Sequence, residues 1–138
     1  MKLRTIAYWT ATIFIALETF VGGIVDLTHG RPLIFSGPRV TDVFISLGYP
    51  AYLLAILGVC KIPGAVILVV PGFLRLKEWA YAGIVFELGG AAVSQAICGH
   101  RQDIAVPVVL LGFALTSWAL RPPNRVLGDE PTKRVWFF

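Results

Sequence analysis

Between Pro50 and Val70 the chain reads PAYLLAILGVCKIPGAVILVV, an apolar run broken by a single charge, Lys61. As a helix at about 1.5 Å per residue it reaches about 31 Å. A bilayer's hydrocarbon core is about 30 Å thick. Read this way, the run is a membrane span, and the rest of the sequence repeats the pattern. Comparable stretches run from Ile6 to Val25, from Trp79 to Ile97 and from Ile104 to Leu120. The last is the shortest, at about 25 Å. The 138 residues are 57% hydrophobic and 14% charged, against about 25% charged in a soluble domain. Intrinsic disorder is excluded by the same apolar richness. The expected fold is therefore all-α: an integral membrane four-helix bundle over residues 1–122, followed by a tail over 123–138.

Met-Lys-Leu-Arg ahead of an apolar run could suggest a signal peptide. The run is too long for one, contains Glu18 and lacks a small-residue cleavage site before Asp26, so it reads as a retained helix. With four spans both termini and the loop Pro71–Glu78 share one side. That side carries Lys2, Arg4, Arg75, Lys77, Arg121, Arg125, Lys133 and Arg134, whereas the other carries Arg31, Arg39 and Arg101. The bias places both termini in the cytoplasm, in a cell (inner or plasma) membrane. Trp9, Trp79 and Trp118 fall at the same inner ends, where indoles favour the interface, and Trp136 could touch that surface too. The net charge of +4 then points to anionic lipid and not to nucleic acid. The outer loop from Asp26 to Tyr49 is long. Within it Thr41–Gly48 suggests a short amphipathic helix that turns Val43, Phe44 and Leu47 to the membrane and ends at Gly48. It would be either a plain surface turn or a lid over the outer mouth.

Only three charged residues fall inside the spans: Glu18, Lys61 and Glu87, each near the middle of a different helix. Charges facing lipid are costly, so these should turn inward and satisfy one another as a Glu–Lys–Glu cluster. Small residues share their faces: Gly22 beside Glu18, Gly58 and Ala65 beside Lys61, and Gly83, Gly90 and Ser94 beside Glu87. Such residues are expected to let the helices approach closely. Pro63 removes the hydrogen bond of the Val59 carbonyl one turn from Lys61. The cluster would either bind the head of a lipophilic ligand, relay a proton, or simply lock helix register.

Other chemistry finds little support. Cys60 and Cys98 lie at different depths, which argues against a disulfide, and both read as small core residues. His29 and His100 near Asp26 and Asp103 match no metal-ligand spacing and read as solvated loop residues, so no metal is expected. No phosphate-binding glycine loop or nucleophile elbow is present.

Three blocks carry a resemblance. Leu47–Leu54 (LGYPAYLL), Ile56–Ala65 (ILGVCKIPGA) and Val70–Gly83 (VPGFLRLKEWAYAG) resemble the DoxX-like membrane proteins, over about Ile6 to Pro122. In that family the lysine and the third-helix acid recur, which corresponds to Lys61 and Glu87. The chain departs from the family at Asp26, where a lysine is frequent, and at Gln95, where a histidine is frequent. Gln95 accordingly joins Glu18, Lys61 and Glu87 as a candidate binding residue. The family is similar to the small membrane subunit of thiosulfate:quinone oxidoreductase. The resemblance implies an accessory or quinone-binding subunit of a membrane redox system, with redox partner proteins and with homo-oligomerisation left open. A small-molecule or lipid transporter, or an assembly subunit without chemistry, is the alternative.

Overall fold

The computed structural model describes residues 2–31 and 37–128. Pro32 and the terminal residues with Lys133, Arg134 and Trp136 lie outside them. Among the described residues there are five α-helices and no strand: α1 (Lys2–Thr28), α2 (Val40–Ser46), α3 (Tyr52–Val69), α4 (Leu74–Ile97) and α5 (Ala105–Ala119). Short 3₁₀ turns cover Arg101–Asp103 and Pro123–Arg125. Four helical stretches, α1, α3, α4 and α5 with its preceding turn, are long and apolar enough to cross a membrane.

These four pack as a closed ring in the order α1, α3, α4, α5, each antiparallel to its neighbours, with α1–α3 the most extensive seam. Ile15, Ala16, Leu68, Tyr81, Ile84, Leu88, Leu110 and Ala114 form the core. The outward faces are apolar too: Phe86, Trp79 and Ile97 are each more than 70% exposed. An apolar exterior around a packed interior is what lipid contact requires.

Helix ends follow local chemistry. Gly48 takes a positive φ of 80° just after α2, which is where the sequence predicts a glycine stop. The α3–α4 joint turns through Gly72 (φ 77°) and Phe73 (φ 53°). The left-handed region disfavours a side chain such as that of Phe73, and here it sets the sharp reversal into α4.

Two boundaries differ from the sequence expectation. α1 continues to Thr28, so Asp26 lies inside the helix and is 4% exposed. α4 begins at Leu74, so Lys77 is helical and 1% exposed. Both charges read as loop residues because they flank apolar runs. Both are tolerated because the fold gives them partners.

For Lys77 the partners are the carbonyls of Ile67, Leu68 and Val70 at the C-terminal end of α3. Arg125 donates to the carbonyls of Leu68 and Val69 at 3.1 and 3.0 Å and lies 4.5 Å from the Trp9 ring centre. Cations at a helix C-terminus satisfy its orphan carbonyls and oppose its dipole. Nearby, Arg121 pairs with Glu78 at 2.7 Å. A buried hydroxyl chain runs from Tyr81 to Ser117 to Thr12 at 2.7 and 2.6 Å, and Thr12 donates to the Tyr8 carbonyl. This end of the bundle is thus a polar plug, with the apolar core above it.

Candidate functional site

Lys61 stands near the middle of α3, and its Nζ touches two helices at once. It donates to Asp26 Oδ2 of α1 at 2.7 Å and lies 2.6 Å from Glu87 Oε1 of α4. The ion pairs tie three of the four ring helices together.

The α1–α3 register explains why Asp26 is the partner. A Cβ built on Gly23 would lie 2.9 Å from Lys61 Cβ, and one on Gly58 would lie 2.8 Å from the Gly23 carbonyl oxygen. The two backbones meet at this glycine pair, so α1 presents its last turns to Lys61. Glu18 lies two turns earlier in α1, about 12 Å along the axis from Asp26. It still borders the site: a Cβ on Gly22 would lie 3.7 Å from Glu18 Oε1 and 3.8 Å from Lys61 Nζ. No hydrogen bond joins Glu18 to Lys61 or Glu87 among the described residues.

The sequence therefore brings forward Lys61 and Glu87, and the structure places them in contact. It places Glu18 beside them unpaired and adds Asp26, which the sequence reading assigned to the outer loop. A signal was available. Glu18, Gly22 and Asp26 repeat every four residues along one face, and one further step from Gly22 reaches the missing carboxylate.

Gln95 stands apart. Its Oε1 is 3.1 Å from His100 Nδ1, two turns beyond Glu87 towards the other end of α4. Next to it, Ser94 hydrogen-bonds Tyr49 at 2.7 Å, which ties the turn after α2 to α4.

The expected close approach along the α4 glycines does not occur. A Cβ on Gly83 or Gly90 would meet nothing within 4 Å. Instead α3 and α4 diverge and leave a cleft of about 660 Å³. Pro63, Gly64 and Ile67 line it from α3, Leu76, Trp79 and Gly83 from α4, and Thr19 of α1 lies at the back. Lys61 and Glu87 form its polar floor, with side chains 17% and 24% exposed. The volume lies within the range of small-molecule sites, and apolar walls with a few polar groups are the usual composition. Two of the three ammonium donors of Lys61 are directed at carboxylates, so one remains for a ligand acceptor.

Cys60 also lines the cleft, and both cysteines are exposed free thiols, not the core residues expected. The turn of the helix gives the reason. Lys61 faces inward, so its chain neighbour Cys60 is rotated about 100° towards lipid. Among the described residues no group of three or more His, Cys, Asp or Glu is arranged to hold a metal.

The DoxX-like family pattern matches residues 10–117, which takes in α3 and α4 whole, most of α1 and α5, and every residue of the site. No curated protein and no solved structure matches the chain.

Proposed function

The chain belongs to the DoxX-like family, and from that premise we propose that it holds a lipophilic molecule in the α3–α4 cleft. The polar head of that molecule would rest on Lys61 and Glu87. One observation carries the reading: a charged pair forms the floor of an apolar cleft on the flank of the bundle. A molecule could enter from the bilayer without crossing water. Passage through the bundle is disfavoured, because the core around Ile15, Leu68, Ile84 and Leu110 separates the ion pairs from the hydroxyl chain at the other end.

A quinone fits this floor. The remaining donor of Lys61 suits a carbonyl, and Glu87 or Glu18 could hold or pass a proton beside it. When bound, a quinone supplies two-electron redox chemistry. The side chains of the site move protons and not electrons, so a partner protein would deliver the electrons. The protein is then an accessory subunit of a membrane redox system, in a cell (inner or plasma) membrane with both termini cytoplasmic as the positive charges suggest.

A second reading, lipid or small-molecule handling, is favoured by one observation: three carboxylates surround a single ammonium. Purification in mild detergent, followed by identification of co-purifying small molecules and proteins, separates the two. Bound quinone together with a redox partner supports the first. An empty cleft with no partner, and solute flux in vesicles, overturns it in favour of the second.

A further inference from the structure

The α3–α4 cleft has a length as well as a floor. From Glu87 to Leu76 along α4 is about 16 Å, with Trp79 and Gly83 between them on the cleft wall. This is about half the hydrocarbon core, the depth of one leaflet. Its apolar wall runs away from the ion pair towards the α3–α4 joint, where Ile67 and Leu76 line it. A single alkyl chain laid along this wall would put its head on Glu87 and its tail in one leaflet.

The charges around the floor decide which head fits. Lys61 comes from α3, Glu87 from α4, and Asp26 and Glu18 from α1, while α5 itself brings no charged group, Arg101 and Asp103 lying in the turn before it. His29 follows one turn after Asp26, at the end of α1. The two carboxylates ion-paired with the single ammonium of Lys61 leave one negative charge in excess. In a medium of low dielectric that imbalance attracts a cation and repels an anion more strongly than it would in water. Glu87 is more exposed than Asp26 and opens onto the cleft. Trp79 lines the same wall about two turns from Glu87, where its indole would pack against the alkyl chain and not the head.

We propose that the cleft takes a single-chain lipophilic amine, its ammonium on Glu87 beside Lys61 and its chain along Gly83 and Trp79. This rests on the reading of the cleft as a lateral binding site and names the class of its occupant. Lys61 is then a resident cation that competes with the ligand, and not its hydrogen-bond donor. The two assignments give opposite signs for one substitution.

The test is saturable binding of radiolabelled dodecylamine to the full chain in phosphatidylcholine nanodiscs, with empty nanodiscs subtracted. Dodecanol and a decyl-substituted benzoquinone serve as neutral probes. The amine is expected to bind about tenfold more tightly than the alcohol, the size of one charge-assisted hydrogen bond. Glu87→Gln should weaken it about tenfold, and Lys61→Met should strengthen it by removing the competitor. Gly64→Leu with Gly83→Leu fills open space in the cleft and should abolish binding. Equal binding of amine and alcohol, no effect of Glu87→Gln, or weaker amine binding in Lys61→Met overturns the choice of a cation. Where Lys61→Met does not accumulate, Glu87→Gln and the filled cleft decide alone. Saturable quinone binding without amine binding overturns this inference and leaves the cleft reading standing. No saturable binding of any probe removes both.

Discussion

One methyl group at Gly58 tests the seam on which the site's geometry depends. The added carbon would lie 2.6 Å from Leu27 Cγ and 2.8 Å from the Gly23 carbonyl oxygen. Leu27 is 39% exposed and can rotate away. The carbonyl belongs to backbone, so α1 and α3 must separate. Overpacking of this kind costs about 1–3 kcal/mol. Replacing glycine by alanine within a helix returns up to about 1 kcal/mol. Gly83→Ala receives the same propensity gain with nothing within 4 Å to obstruct it. The difference between the two variants therefore isolates the clash. Gly58→Ala is expected to be less stable than Gly83→Ala by about 1–3 kcal/mol. Equilibrium unfolding in mixed micelles, followed by circular dichroism, measures it. Equal stabilities, or a more stable Gly58→Ala, would refute the glycine contact and with it the register that brings Asp26 to Lys61.

Three further outcomes follow from the same contacts. Asp26→Asn should cost about 1–3 kcal/mol in the same unfolding assay, because a charge-assisted bond to Lys61 is lost. Glu18→Gln should cost much less, and the reverse order would return Glu18 to the role the sequence suggested. Lys77→Met keeps the alkyl stem but strips the α3 carbonyls of their donor. It should lower stability by about 1.5–3 kcal/mol, whereas an unchanged unfolding midpoint would show that water serves those carbonyls equally well. Tyr81→Phe and Ser117→Ala should each cost about 0.5–1.5 kcal/mol and together less than their sum, since they share one bond. Strict additivity in the double-mutant cycle would contradict that bond.

The spans were legible because apolar length is a local property. Pro50–Val70 needs no partner to be recognised, and the helices formed where such runs occur. Helix ends and helix register were not local. Asp26 after Val25 looks like the start of a loop until α3 supplies Lys61. Lys77 looks like a cytoplasmic charge until α3 ends beside it with bare carbonyls. The small-residue argument was right in kind and partly wrong in place. Gly58 does sit at a close approach, opposite Gly23, whereas Gly83 faces the open cleft. A glycine permits contact without specifying it, and only the packed ring decides which one is used. The same limit applies to the site. Lys61 and Glu87 stood out as charges within apolar runs, but their separation depends on how α3 and α4 diverge.

The central claim is that Lys61 and Glu87 meet on the floor of a cleft reached from lipid. Dicyclohexylcarbodiimide, which partitions into bilayers, can activate a carboxyl there, and a neighbouring amine then forms an amide while the reagent takes up the oxygen as a urea. The product to be measured by mass spectrometry is a peptide pair joined between Lys61 and Glu87, lighter by one water. The account predicts this cross-link with the lipophilic reagent, little with a water-soluble carbodiimide, and its loss when Gly64→Leu and Gly83→Leu fill the cleft. A Lys61 cross-link formed better from water, or one that the filled cleft leaves unchanged, would contradict it.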